Sequence, residues 1–262
     1  MIGIFDSGLG GLTALREARR LLPTADFLYF GDTGRVPYGS RSKDTIVHYA
    51  TQIMHFFAEM QVDAALSACG TVSSVALDAI RAFSSFPVVG VVEPAAEEAV
   101  AVSKNRRIGV IGTGATIRSG AFDRAIHKLA PDAKVMGEAC PLFVPLVENG
   151  LIDECDSVTL EVARRYLTPI RDFGADTLIL GCTHFPIIAP CIQKVLPGVT
   201  LINSGSAAAK ALIKALPPDA AKGSGTLTCY VSDDPSGFRD VASIFLGSRF
   251  DAPICKINIE GY

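Results

Sequence analysis

The turn Ala68-Cys69-Gly70-Thr71 and the turn Gly181-Cys182-Thr183-His184 each close an apolar, strand-like run and open a helix-like one. The first unit runs Asp63-Ala-Ala-Leu-Ser-Ala68 into its turn and continues from Val72 to Ile80. The second runs Ala175-Asp-Thr-Leu-Ile-Leu180 into its turn and continues from Phe185 to Ile192. A short apolar run, a small-residue turn and then helical periodicity is the signature of a parallel sheet covered by helices. Its repetition points to an α/β fold, and it sets the same residue type, cysteine, at the same point of both copies. A thiol at the carboxyl end of a strand lies where open α/β sheets hold their ligands. It also faces the unpaired N–H groups and positive dipole end of the helix that follows, a setting expected to favour the thiolate. Two such thiols from two related units predict a site between two halves, with a nucleophile or base on each side.

The rest of the chain keeps this alternation. Strand-like runs at 2–5, 27–30, 64–68, 88–92, 108–111, 177–180, 199–202 and 227–231 are separated by helix-like stretches at 12–20, 43–60, 71–83, 94–102, 120–129, 153–173, 206–216 and 235–246. A second echo supports duplication, because Gly3-Ile-Phe-Asp-Ser-Gly8 matches Gly109-Val-Ile-Gly-Thr-Gly114 by residue type, at an offset similar to that of the cysteines. The expected architecture is α/β, with two pseudo-symmetric domains, parallel-type sheets and the active site in the interdomain cleft. The first domain takes 1–93 plus 206–262 and the second 94–205. Ser103-Lys-Asn-Arg-Arg107 is a polar break ahead of the second unit, and a Pro/Gly/Ser/Lys loop within Lys210 to Gly225 is expected to be exposed.

Composition narrows the function classes. With 49% hydrophobic and 19% charged residues, the 262-residue chain reads as a well-buried globular enzyme. A net charge of −3 gives no footprint for nucleic acid or an anionic membrane, so the expected partners are a small molecule and a second copy of the chain. The opening residues, Met1-Ile-Gly-Ile-Phe-Asp6, read as a first strand rather than a signal peptide, which makes the cytoplasm the expected location. The uncharged stretch from Thr177 to Gln193 contains Pro186 and Pro190 and reads as strand, turn and helix rather than a membrane span. The seven cysteines form no CxxC pair, so neither a disulfide framework nor a metal site is expected. Cys140, Cys155, Cys191, Cys229 and Cys255 are read as buried small hydrophobes.

Five segments together carry a resemblance: Phe5-Asp6-Ser7-Gly8-Leu9-Gly10-Gly11, Gly31-Asp32-Thr33-Gly34-Arg35-Val36-Pro37-Tyr38-Gly39, Ala68-Cys69-Gly70-Thr71, Gly109 to Thr116, and Gly181-Cys182-Thr183-His184-Phe185-Pro186. In order and spacing, over nearly the whole chain, they resemble the glutamate racemases of the aspartate/glutamate racemase superfamily. The resemblance implies a cofactor-independent interconversion of L- and D-glutamate that supplies D-glutamate for peptidoglycan, in a cytoplasmic homodimer or other homo-oligomer. The chemistry agrees with the residues. Inverting an α-carbon without a cofactor needs a base on one face and an acid on the other, and cysteine suits both roles. By resemblance, Cys182 takes the proton from L-glutamate and Cys69 from D-glutamate. Asp6 assists the first thiol and contacts the substrate, His184 tunes the second thiol, and Glu148 lies near it. Read without the resemblance, Asp6 is a helix N-cap, His184 a hydrogen-bonded histidine and Glu148 a surface carboxylate. For the two substrate carboxylates the candidates are Ser7, the Tyr38-Gly39 backbone, Gly70, Thr71, Thr183 and His184, with Thr113 and Thr116 adding hydroxyls from the second unit.

One position departs from the family. Gly70 stands where the relatives usually carry Asn, and Val72 where they carry Ala, so a side-chain hydrogen bond to the substrate is missing. Restoring it in Gly70→Asn is expected to strengthen binding modestly, unless the glycine backbone or Val72 closes the space. Three other readings stay open. Aspartate or another acidic amino acid is an alternative substrate, and a catalytically silent amino-acid-binding relative is another class of protein. Gly8-Leu-Gly10-Gly-Leu-Thr13 followed by Asp32 imitates a dinucleotide fingerprint, although Thr13 occupies its third glycine position.

Overall fold

Apolar runs in this chain become two parallel sheets. The computed structural model describes residues 1–217, 219–236, 238–247 and 249–262. Its strands are β1 (Ile2–Asp6), β2 (Phe27–Gly31), β3 (Ala64–Ser67), β4 (Val88–Gly90), β5 (Arg107–Gly112), β6 (Lys134–Ala139), β7 (Thr177–Leu180), β8 (Thr200–Asn203), β9 (Leu227–Val231) and β10 (Ile254–Lys256). One sheet has the order β10-β9-β2-β1-β3-β4 and the other β6-β5-β7-β8. All described strand pairs are parallel. The order 2-1-3-4 of the first sheet recurs as 6-5-7-8 in the second, so the duplication read from the cysteine turns is also topological.

The sequence explains the layering. β1, β2, β3 and β7 are buried along their whole length, as strands covered on both faces must be. Ser42 caps the helix Lys43–Glu59 by accepting from Thr45 N, and that helix lays Phe56 and Phe57 on Phe30 and Phe5 beneath the first sheet. The helices Val92–Val102 and Ala121–Leu129 cover the second sheet with Ala95, Ala96, Ala99, Phe122 and Ile126. Between the sheets, the helix Ser204–Ala215 packs on both Leu12–Leu21 and Val92–Val102. One apolar cluster therefore runs continuously from Ile2 and Leu66 to Phe143, Leu178 and Phe185.

Several boundaries differ from the sequence reading. The expected helix 71–83 is two helices, Gly70–Val75 and Leu77–Phe83. Ser73 Oγ, which donates to Ser67 O and accepts from Val91 N, ties the first of them to the end of the sheet. Strands β6 and β10 were not expected: β6 is half-exposed and carries Lys134, Gly137 and Glu138, and β10 has three residues. The helices Gly114–Ser119 and Phe143–Glu148 were also missed. The polar break at 103–107 is an ordered turn, in which the Asp176 carboxylate accepts from Ser103 Oγ, Lys104 N and Asn105 N, each at 2.7 Å. Pro218 of the expected loop and Gly237 of the expected last helix lie outside the described residues; Phe238–Leu246 is helical. Cys155 and Cys255 are exposed rather than buried, because one lies on a loop and the other on the outermost strand.

Phe57 is fully buried, edge-on to Phe5. Phe57→Ala should lower the unfolding free energy by about 3–5 kcal/mol, the cost of an aromatic-sized cavity. Urea denaturation monitored by circular dichroism measures it, and an unchanged midpoint would show that the site collapses without loss.

Candidate active site

In each sheet the chain leaves the central strand, forms a neighbour on one side and returns on the other, which opens a crevice at the carboxyl ends of two adjacent strands. In the first sheet these are β1, ending at Asp6, and β3, leading to Cys69. In the second they are β5, leading to Thr113, and β7, leading to Cys182. The two crevices face each other. Cys69 and Cys182 are buried, as are Asp6, Thr71, Thr116, Thr183 and His184.

Several contacts join the two sides. Thr71 and Thr113 share a hydrogen bond between their hydroxyls at 3.0 Å, and Thr113 reaches the Thr116 hydroxyl at 3.1 Å and caps its helix by accepting from Thr116 N. Thr13 Oγ1 donates to Thr183 O at 3.0 Å. Gly39 lies against Thr113: a Cβ there would sit 3.0 Å from the threonine Cβ. Gly10 leaves room for Thr183 and His184, whose side chains a Cβ would strike. Sequence reasoning missed Thr13 and the contact role of Gly10. The signal was present in Ser7-Gly8-Leu9-Gly10-Gly11, where glycines permit close approach of a neighbouring chain as readily as of a phosphate.

The two thiols sit in different electrostatic settings. Cys69 Sγ has Ser7 Oγ at 3.7 Å. Burial and the Asp6 carboxylate push its pKa up to about 12, against the expectation that the helix start would lower it. The six-residue helix Gly70–Val75 supplies only a backbone contact from Val72, too little to offset the desolvation. Asp6 is itself raised by burial, although His184 and the backbone N–H groups of Gly11, Gly8 and Ser7 oppose the shift. On the other side, Cys182 Sγ lies 3.8 Å from His184 Nδ1, and His184 Nε2 lies 3.1 Å from Glu148 Oε1. Burial works against a charge on His184, but the hydrogen bonds to Cys182 and Glu148 outweigh it and raise the pKa to about 10. The ring is thus an imidazolium at neutral pH, held between a sulfur and a carboxylate. Phe245 packs edge-on against it at 5.1 Å between centroids.

The remaining candidates fall into two groups. Ser7 touches the Cys69 sulfur, Thr71 and Thr116 both meet the Thr113 hydroxyl, and Thr183 adjoins His184. Tyr38 is buried and its hydroxyl donates to Asp32, which leaves the Tyr38-Gly39 backbone, not the phenol, on the cleft side. Asp32 also accepts from Arg35 Nε at 2.7 Å and Ser232 Oγ at 2.7 Å and is fully buried, so its carboxylate is not free for a ribose hydroxyl and the dinucleotide reading fails. Arg35 stacks on Tyr49 at 4.0 Å and donates to Gln52. This network props the Tyr38–Ser40 turn against Thr113. Gly70 is buried without a positive φ, and a Cβ on it would fall onto the carbonyl oxygen of Gly181. The backbone across the cleft, rather than Val72, closes the space that an asparagine would need. Among the described residues no cluster of three or more His, Cys, Asp or Glu has metal-ligand geometry, and no helix is long and apolar enough to cross a membrane.

Comparison with known proteins gives a consistent picture. The family described as Asp/Glu/Hydantoin racemase matches residues 13–212. A glutamate racemase of Geobacter metallireducens is 43% identical, covering 99% of this chain and 97% of that protein. One of Aquifex aeolicus is 44% identical over 97% of this chain and 96% of its own length. Among solved structures, the glutamate racemase of Francisella tularensis in complex with D-glutamate superposes with a TM-score of 0.89 at 35% identity, covering 100% of this chain and 98% of that one.

His184 offers a direct test of the charge arrangement. Its folded pKa of about 10 lies above the ordinary 6.5, so protonation contributes stability that is complete below pH 6.5 and is lost as pH rises through about 10. In Glu148→Gln the imidazolium loses a charged acceptor, and the His184 pKa should fall by about one unit or more. The loss of stability still starts near pH 6.5 but is then smaller and complete at a lower pH. Titration of the imidazole by NMR reads both proteins, and identical curves would remove Glu148 as the partner.

Proposed function

The chain belongs to the glutamate racemases of the Asp/Glu/Hydantoin racemase family, and from this we propose that the facing thiols invert the α-carbon of glutamate in both directions. The observation that supports the reading is that Cys69 and Cys182 follow equivalent strands, β3 and β7, are both buried, and flank the contact between Gly70 and the Gly181 carbonyl. A carbon held between them meets a sulfur on each face.

From L-glutamate, the Cys182 sulfur takes the α-proton as a new S–H bond, and the C–H electron pair stays on Cα, delocalised into the α-carboxylate. Cys69 then gives its S–H proton to the opposite face and is left as a thiolate. D-glutamate runs the same steps in reverse. The settings suit these roles. Cys69, with its pKa near 12, stands as a protonated acid, whereas Cys182 has the His184 imidazolium beside it to face a negative sulfur. Glu148 holds that imidazolium, and Asp6 stands on the Cys69 side as the acidic partner there. Ser7, Thr71, Thr113, Thr116, Thr183 and the Tyr38-Gly39 and Gly70 backbone hold the carboxylates. Hydroxyl and N–H donors in a water-poor cleft stabilise the charge that grows on the α-carboxylate.

We further assign the cleft to the boundary between residues 1–93 with 206–262 and residues 94–205, a division supported by the two separate sheets. Working in the cytoplasm as a homo-oligomer and supplying D-glutamate for peptidoglycan completes the reading. The free thiols of all seven cysteines suit a reducing compartment.

Cys69→Ser and Cys182→Ser should each lower racemisation by on the order of 10²–10⁴-fold in both directions without loss of fold. Circular dichroism of L- and D-glutamate follows the reaction, with L- and D-aspartate as the competing substrate. Either variant turning over at the parent rate would refute the two-base assignment. Because both proton transfers are supplied by thiols, activity should also survive dialysis and borohydride treatment; a requirement for added pyridoxal phosphate would count against the mechanism.

A further inference from the structure

We propose that Gly70 is a positioning residue that sets the separation of the two thiols, an inference that rests on the racemase reading above. Gly70 follows Cys69, and Gly181 precedes Cys182. Across the cleft, the Cα of Gly70 abuts the Gly181 carbonyl so closely that a Cβ would lie 3.2 Å from the carbonyl carbon and closer still to its oxygen. That carbonyl cannot swing away freely. The Gly181 N–H is bound to Ile111 O at 2.8 Å, and Leu180 just before it pairs with Ile111 in the sheet. The obstacle is backbone on a strand end, not the tip of a flexible side chain.

A methyl group at position 70 would therefore separate the two turns by on the order of 1 Å, since no side chain can yield in their place. Each cysteine is one residue from the contact, so the displacement reaches both sulfurs with little attenuation. The same movement would stretch the Thr71–Thr113 and Thr13–Thr183 hydrogen bonds that close the seam. Gly39 is a second, softer spacer, because its Cβ would press on the Thr113 side chain. On this view the glycine does not record a lost substrate contact. It permits a closer seating of the two halves than an asparagine there allows.

The test is Gly70→Ala and Gly70→Asn in the full chain, assayed with each glutamate enantiomer in deuterium oxide. After one thiol has removed the α-proton, the carbanion either takes a proton back from that thiol, which registers as deuterium exchange without inversion once its S–H has swapped with solvent deuterium, or takes a deuteron from the opposite thiol, giving inversion. Moving the opposite thiol away favours the first route. Gly70→Ala should lower kcat about 10- to 100-fold in both directions, with a smaller change in KM, and raise the ratio of exchange to inversion. Gly70→Asn should be at least as impaired. A folded Gly70→Ala protein with parent kcat and parent ratio, or a Gly70→Asn protein that binds glutamate more tightly and turns over normally, overturns the proposal. Should Gly70→Ala not accumulate as folded protein, Gly39→Ala carries the test: a raised ratio of exchange to inversion supports the spacer role, and a parent ratio overturns it. A parent chain that does not racemise glutamate would instead remove the functional reading itself.

Discussion

Contact between two backbones, the Cα of Gly70 and the carbonyl of Gly181, is the constraint on which the site depends. Two groups can act on opposite faces of one carbon only if the elements carrying them are held at a fixed and short separation. Side chains yield by rotating, whereas a peptide group at the end of a paired strand does not. The Ile111–Gly181 hydrogen bond fixes the second turn to β5, and Ser73 ties the first to the end of β3. The cleft thus inherits the rigidity of both sheets. It also inherits their dryness, because both thiols, Asp6 and His184 are nearly inaccessible to solvent, and charges in such surroundings interact far more strongly than in water.

The halves are equivalent in topology but not in charge. Strand order 2-1-3-4 matches 6-5-7-8, and each second-formed crevice strand ends in a cysteine turn. Yet Cys69 faces the carboxylate of Asp6 and the hydroxyl of Ser7, while Cys182 faces an imidazolium backed by a carboxylate. Desolvation penalises charge on both sides. It prevails at Cys69, where the strongest neighbour is of like sign to a thiolate. At His184 it loses, because two acceptors reward the proton. The two sides of the cleft thus share a topology and differ in charge.

Much of this was legible in the chain. Long apolar runs such as Phe27–Gly31 and Thr177–Leu180 announced buried parallel strands because no solvent face dilutes their pattern. Strand β6 escaped because it is half-exposed, and the helix Phe143–Glu148 because six residues are too few to show a period. Within the site, Asp6, Cys69, Thr71, Cys182, Thr183 and His184 all belong to strand-end turns that the residue pattern marks. Glu148 belongs to no such turn. Only the family resemblance pointed to it, and the fold brings it to His184 over 36 residues of chain.

By itself, the sequence determined the α/β class, the doubling of the unit and the presence of one thiol at a strand end in each copy, because these follow from local periodicity and turn chemistry. Tertiary structure decided what those thiols are. The pKa of Cys69 is set by burial and by Asp6, far back along the chain at the end of β1, which no local pattern encodes. The meaning of Gly70 was decided the same way. Along the chain it is a missing amide, and in space it is the one residue small enough to meet the Gly181 carbonyl, a neighbour that exists only once two distant turns have packed together.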